Sequence, residues 1–277
     1  MTITVFCIIL FAAALHAGWN ALVKGGEDKL LTTVLVTASA AAIAVAVLPF
    51  LPAPARSSWL FIAASSLLQV LYYVLVARAY GLADMSATYP LMRGTAPLLV
   101  ALATATFLHE PLSPAAWIGI AAICAGVLGS ALHRKAGHGR GIALALLNAV
   151  VIACDTLVDG FGVRHSQAPA AYTLWIFLLT GIPLAGWALW ARREAFLRQV
   201  AIGWKPGLAG GLATMVSYGL ALWAMTFAPV AVIAALRETS ILFATVIAAL
   251  ILKEKPGPAR VAGACLIAAG AIVLRLS

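Results

Sequence analysis

Four ionisable residues lie inside long apolar segments of this chain: Arg93, Asp155, Arg237 and Glu238. A charge at bilayer depth is costly, so each of these residues is a functional-site candidate by default. Arginines suit an anionic group such as a carboxylate, and an acid suits an amine. The four charges sum to zero, so the alternative is that they form structural ion pairs between helices. The sequence leaves both interpretations open.

A polar helix face is predicted on the first apolar segment. His16, Trp19 and Asn20 are spaced i, i+3 and i+4, which puts them on one face, and Lys24 continues it. Imidazole titrates near physiological pH, so His16 is a candidate for proton coupling or ligand binding, or simply bonds a neighbouring helix. Lys24 lies at the predicted end of the segment, where solvation of its ammonium is expected.

The sixth apolar segment has a matching face, because Asp155 and Asp159 are also four residues apart. Asp159 is predicted to be a solvated helix end, whereas Asp155 is predicted to lie inside the membrane. Two prolines, Pro90 and Pro97, flank Arg93 and predict a kinked or broken helix with exposed carbonyl groups. Such breaks are tolerated where they line a cavity.

Aromatic rings within the apolar segments could form the wall of a cavity for a small organic solute, because they combine an apolar face with a polar tip. The alternative for each ring is ordinary core packing. The candidates are Tyr73, Tyr89, Tyr218 and Trp223.

The elements that hold these residues are predicted to be membrane-spanning helices. The chain has 277 residues, of which 64% are hydrophobic and 10% charged, and its mean hydropathy is +1.04. About ten segments have the roughly 20 residues that a helix needs to cross a bilayer. They are continuously apolar, which favours an all-α integral membrane protein over a barrel. They lie near 3–23, 30–50, 59–80, 86–108, 114–132, 141–160, 171–191, 206–227, 229–252 and 258–276.

The two halves of the chain repeat each other, which predicts an N-terminal repeat over 1–136 and a C-terminal repeat over 137–277. Residues 20–25 correspond to 155–160, and 91–93 with Glu110 correspond to 235–237 with Glu254. Gly119 and Gly126 correspond to Gly263 and Gly270, and each pair shares a helix face suited to close packing. Five spans per repeat must invert the second copy. Inverted repeats build transporters with a site between the copies near the bilayer midplane.

The net charge of +9 does not indicate nucleic-acid binding, because the basic residues lie in short loops between apolar segments. Twelve Lys and Arg residues fall on one side of the predicted membrane and three on the other. The positive-inside rule puts the richer side in the cytoplasm and both termini outside. The three on the poorer side are Arg56, Arg164 and Arg275.

Other kinds of chemistry have little support in the sequence. The four cysteines lie within apolar segments without CxxC spacing or a suitably placed histidine, so no metal or other cofactor is predicted. No Walker A motif indicates ATP use. His133 and His138 are five residues apart, a poor match to the i, i+4 pair of a membrane metalloenzyme, so an enzyme is not expected.

Several segments resemble EamA-type proteins of the drug/metabolite transporter superfamily. The first helix does so over 14–24, and other similar stretches cover 79–83, 90–93, 97–113, 228–230, 236–240 and 252–254. The resemblance implies ten helices in two inverted five-helix repeats around a central cavity, lined mainly by spans one, three, four, six, eight and nine. Bacterial members of this size include amino-acid exporters and permeases similar to the YddG branch. Such proteins are usually drawn with both termini in the cytoplasm, opposite to the charge distribution here.

These features together predict a secondary transporter of small polar metabolites, with amino acids favoured, working by alternating access in the bacterial cytoplasmic membrane as a monomer or homodimer. The rivals are an efflux transporter for cationic drugs and a flippase for lipid-linked sugars. The predicted partners are a small-molecule solute and the lipid bilayer. The predicted substrate-binding residues are His16, Trp19, Asn20, Tyr89, Arg93, Asp155, Tyr218, Trp223, Arg237 and Glu238.

Overall fold

The computed structural model describes residues 1–82, 85–107, 110–130, 139–250, 253 and 257–277, and its regular secondary structure over these residues is helical. Short 3-10 turns at Leu48–Phe50 and Arg56–Ser58 join the second and third helices. Eleven helices follow one another along the described chain: α1 Ile3–Gly25, α2 Lys29–Val47, α3 Trp59–Leu82, α4 Met85–Phe107, α5 Pro114–Gly129, α6 Gly139–Ser166, α7 Pro169–Ala191, α8 Arg193–Ala224, α9 Val230–Arg237, α10 Ser240–Leu250 and α11 Pro258–Leu276.

The prediction of an all-α membrane protein is confirmed. Within the described residues, eight segments are long and apolar enough to cross a membrane, one of them formed by α9 and α10 together. Helix α5 is apolar but has only 16 residues. Helix α4 has 23 residues and contains Arg93 and two prolines, which lower its hydropathy. Counting α4 and α5 gives about ten spans, as predicted.

Two predicted boundaries were wrong by more than a turn. Helix α6 continues to Ser166, six residues beyond its predicted end, and α8 begins at Arg193 instead of residue 206. Both extensions contain charged residues, which a hydropathy pattern excludes from a span. A helix continues through them because its backbone hydrogen bonds are internal and long side chains can reach polar surroundings.

The two prolines predicted to kink α4 do not break it. Helix α4 runs through Pro90 and Pro97, while the interruption falls in the corresponding span of the second half, between α9 and α10. There, Glu238 and Thr239 form tight turns whose amides donate to Ala235 and Leu236 carbonyls at 3.0 Å. Turns of this kind within a span often mark a functional hinge.

The helices pair in a pattern that relates the two halves. Helix α3 packs on α6 as α8 packs on α1, and α4 packs on α6 as α10 packs on α1. The pairs α2 with α7 and α5 with α11 map onto themselves. Two repeats would exchange partners in this way, and the division of the chain into repeats stays a prediction. The predicted boundary after residue 136, and Glu254, lie outside the described residues.

The predicted close packing through glycines is confirmed where α5 meets α11. A Cβ added to Gly126 would lie 2.7 Å from the carbonyl oxygen of Gly263, and one added to Gly119 would lie 3.0 Å from that of Gly270. The two backbones are therefore too close for any larger residue, and the contact is reciprocal between the repeat-related glycine pairs.

Helix α9 lies at the centre of the molecule. Every residue from Val230 to Leu236 is buried, within a core cluster that also includes residues of α1, α5, α6 and α7. By contrast, outward-facing apolar side chains such as Phe107 and Ile202 are about 80% exposed, as expected for surfaces that contact lipid. The burial of α9 carries Arg237 and Glu238, at its C-terminal end, into the interior.

Candidate functional site

A cavity of about 100 Å³ lies between the two halves of the molecule, large enough for several waters or one small solute. Helices α1, α3, α4, α6, α8 and α9 line it, as the resemblance implies, and α7 contributes as well. The lining residues are His16, Trp19, Gln69, Tyr72, Tyr73, Arg93, Ile152, Asp155, Thr156, Phe177, Thr214, Tyr218 and Arg237.

The α1 side of the cavity is a preformed aromatic edge. Trp19 donates its indole Nε1–H to His16 Nδ1 at 3.3 Å, and the two rings meet edge to face with centroids 5.3 Å apart. The Asn20 amide donates to the His16 carbonyl oxygen at 2.8 Å. The i, i+3 and i+4 spacing thus produces contacts within α1, and these hold His16 and Trp19 toward the cavity.

Arg93 and Glu238 form an ion pair that joins the two halves. Arg93 Nε donates to Glu238 Oε2 at 3.0 Å, and Nη2 lies 2.8 Å from Oε1 in an ionic contact that is out of line for a second hydrogen bond. Glu238 is 4% exposed and lies behind Arg93, which reaches the cavity. The charge of Arg93 is therefore largely matched by a neighbouring carboxylate.

Arg237 is held differently. Its guanidinium lies over the ring of Tyr218, with Cζ 4.9 Å from the ring centroid. In the part of the chain that the structure describes, no carboxylate lies within ion-pair distance of it. Its position at the C-terminus of α9 is favourable, because the helix dipole places partial negative charge there. Arg237 thus presents a cation to the cavity with an aromatic partner in place of an acid.

Two carboxylates on α6 face hydroxyl groups instead of cations. Asp155 accepts hydrogen bonds from Ser65 Oγ at 2.9 Å and from the Tyr218 hydroxyl at 3.2 Å. Asp159 accepts from the Tyr172 hydroxyl at 3.0 Å, and it lies closer than Asp155 to the same Tyr218 hydroxyl, whose single proton the two acids share. Asp155 lines the cavity, whereas Asp159 is fully buried. Tyr218 therefore contacts both acids and lies beneath Arg237.

Six of the ten predicted binding residues line the cavity. They are His16, Trp19, Arg93, Asp155, Tyr218 and Arg237. The other four do not: Asn20 bonds its own helix, Glu238 lies behind Arg93, Tyr89 is half-buried away from the lining, and Trp223 packs against Phe227 with ring centroids 4.7 Å apart. Asn20 was predicted from its helical spacing and the other three from their depth or repeat position, and none of these fixes the direction of a side chain.

Several lining residues were not predicted to bind solute. Gln69 and Tyr72 lie on α3 about one turn apart, and Thr214 is one turn before Tyr218 on α8. The i, i+3 and i+4 spacings from a known site residue are the signal that finds them. The prediction that Asp159 is a solvated helix end was wrong, because α6 continues beyond it and two tyrosine hydroxyls enclose it.

The arrangement suits binding more than bond-breaking chemistry. Among the described residues, no three His, Cys, Asp or Glu side chains come together in a group that could hold a metal ion. The cavity offers instead two arginines, an acid and the rings of five Trp, Tyr and Phe residues at one place. Such a set of groups can bind a small solute that has both charged and apolar parts.

Comparison with known proteins gives a family match and a similar fold. Residues 139–276 match the model of the EamA-like transporter family. A crystal structure described only as that of a protein aligns over 100% of this chain and 98% of its own chain, with a TM-score of 0.79 and 20% identity. At this identity the likeness shows the fold alone. No curated protein matches the chain.

The fold and the cavity define a multi-pass helical membrane protein with an interior polar site. The matched family is one of membrane transporters of the drug/metabolite type, and the match covers the part of this chain that holds Asp155, Tyr218 and Arg237.

Proposed function

We propose that this protein is a secondary transporter of small polar metabolites, with amino acids as the favoured class, working by alternating access. One observation carries the proposal: Arg237 and Asp155 face the same cavity, and neither has an ion-pair partner among the described residues. An amino acid supplies the two missing partners. Its carboxylate would bind Arg237 and its ammonium group would bind Asp155.

The other lining residues would select the solute. Arg93, neutralised by Glu238, adds hydrogen-bond donors near the carboxylate without a second uncompensated charge. The rings of Trp19, Tyr72 and Tyr218 would contact the apolar part of the solute. We further propose that the protein lies in the bacterial cytoplasmic membrane and is related to the YddG branch, because residues 14–24 resemble EamA-type proteins.

Uptake of labelled amino acids into proteoliposomes tests the proposal. We expect transport by the unmodified protein and at least a tenfold loss in Arg237→Gln and in Asp155→Asn, because each removes one charged hydrogen bond to the solute. Arg192→Gln is the matched control, since Arg192 pairs with Asp28 far from the cavity and its loss should leave uptake unchanged. Full uptake by both cavity variants would refute the assigned roles.

A second candidate is transport of organic cations. It is favoured by the two carboxylates, Asp155 and Asp159, whose described partners are all neutral hydroxyls, and by the aromatic lining. A cation substrate needs an acid and no arginine. The same two variants distinguish the candidates: Asp155→Asn would abolish cation flux, while Arg237→Gln would preserve or increase it.

A further inference from the structure

Arg164, near the C-terminal end of α6, ties together three separate parts of the molecule. Its Nη1 forms an ion pair with Oε1 of Glu110, between α4 and α5. Its Nε donates to the Met225 carbonyl oxygen at 2.7 Å, and its Nη2 donates to the Ala228 carbonyl oxygen at 3.1 Å. Met225 and Ala228 both lie between α8 and α9. We call these four residues the Arg164 clasp.

The clasp is more than a surface ion pair. The side chains of Arg164 and Glu110 are 29% and 23% exposed, against 42% and 32% for Arg192 and Asp28. A guanidinium has five donors in a fixed planar fork, so three simultaneous bonds fix the relative positions of all three segments. An exposed, singly bonded pair fixes little.

One feature of the clasp favours its opening. The second carboxylate oxygen of Glu110, Oε2, is buried without a hydrogen-bond partner among the described residues. A buried acceptor without a partner costs free energy that is recovered when water reaches it. The closed arrangement is therefore held by Arg164 but is not fully satisfied, as expected of a contact that has to open.

The clasp lies on one side of the cavity, at the membrane face where both termini are found. Arg164 is nine residues beyond cavity-lining Asp155 on the same helix, a rise of about 13.5 Å. Two further contacts join the first half to the end of α6 at this level. The Ala55 amide donates to the Ser166 carbonyl oxygen at 2.9 Å, and the Phe61 and His165 rings stack with centroids 5.8 Å apart.

We propose that the Arg164 clasp is the gate of the cavity at the termini face. Glu110 belongs to the first half, whereas Arg164, Met225 and Ala228 belong to the second, so the halves cannot separate at this face while the clasp is formed. Opening breaks the ion pair, while the two carbonyl bonds keep Arg164 attached to the second half, and it lets solute leave or enter there. This inference rests on the proposed function, because only alternating access requires such a gate.

Cysteine labelling measures the gate directly. In a variant without Cys7, Cys124, Cys154 and Cys265, Thr156→Cys places one reactive thiol in the cavity wall. A membrane-impermeant maleimide is added at the termini face of the reconstituted protein. We expect Glu110→Gln and Arg164→Ala to raise the labelling rate on the order of tenfold, the population change for a loss of about 1.4 kcal/mol.

Arg192→Ala is the matched control, because it removes an arginine–carboxylate pair that joins other helices and should leave labelling from the termini face unchanged. Glu110→Gln keeps side-chain volume, so it decides the result if Arg164→Ala does not fold. Unchanged labelling in correctly folded Glu110→Gln overturns the gate. Labelling needs no substrate, so failed amino-acid uptake refutes the proposed function without affecting this result.

Discussion

At the scale of single residues, the two repeat-related arginines have different surroundings. Arg93 is paired with a buried carboxylate from the other half of the molecule, whereas Arg237 has an aromatic ring. Their equivalence in the repeat predicted equal roles. The difference arises because Glu238 follows Arg237 directly, in the turn after α9, and there it points to Arg93 instead of to its own neighbour.

This difference predicts unequal effects on stability. Glu238→Gln should lower the free energy of unfolding by about 3 kcal/mol, because it leaves the Arg93 charge buried without its partner. Arg237→Gln should change stability little, since Arg237 faces the cavity. Thermal unfolding of the purified proteins in one detergent measures both. A double variant, Arg93→Gln with Glu238→Gln, should recover part of the loss. Equal melting temperatures of Glu238→Gln and Arg237→Gln would contradict the different surroundings of the two arginines.

Hydropathy and residue spacing determined how much of the cavity could be predicted from the sequence. Both identify charges at membrane depth, so Arg93, Asp155 and Arg237 were found. Neither reports side-chain direction, which tertiary packing decides, so Tyr89 was assigned to the cavity without lining it. Asp159 was misjudged because a polar stretch follows it, and the extension of α6 depends on contacts with other helices.

At the scale of helices, proline proved a poor guide to where a span is interrupted. Helix α4 contains two prolines and stays continuous, while the corresponding span breaks at Glu238 and Thr239 without one. A proline removes one backbone hydrogen bond, which neighbouring helices or side chains can compensate in a membrane. The break after α9 instead coincides with a buried ion pair between the halves, which no local pattern encodes.

Close helix packing gives a sharper prediction. Gly126→Ala should lower the free energy of unfolding by about 1–3 kcal/mol, because the new methyl would overlap the Gly263 carbonyl group of α11 and force the helices apart. Gly186→Ala on α7 is the matched control, because nothing lies within 4 Å of its added Cβ. Thermal unfolding measures both variants. The same melting temperature for Gly126→Ala and Gly186→Ala would show that α5 and α11 do not pack through these glycines.

At the scale of the whole molecule, the fold class and helix pairing followed from sequence more directly than the site did. Long apolar segments can only be buried or face lipid, so their number fixes the architecture. The weak repeat predicts that the helices of the two halves exchange partners, and α1 packs on α8 as α6 packs on α3. Orientation in the membrane is different in kind, because it depends on charges in the connections and not on packing.

The distribution of positive charge predicts that both termini lie outside the cytoplasm. Lys29, Arg192 and Arg193, like most basic residues, lie at or near connections on the face opposite the termini, and positive charge is retained on the cytoplasmic side. C-terminal fusions to a fluorescent protein and to alkaline phosphatase should then give phosphatase activity without fluorescence in bacteria. The reverse result would establish the orientation that the family resemblance implies.

The orientation also decides what the Arg164 clasp closes. If the positive-inside rule holds for this chain, the membrane face with the termini is external. The clasp would then close the cavity toward the outside and leave it open to the cytoplasm. Maleimide added to intact cells carrying Thr156→Cys should then label slowly, and Glu110→Gln should speed that labelling. Should the fusions place the termini inside, only labelling of inverted vesicles should respond to Glu110→Gln. The two measurements must agree, since both report the same face.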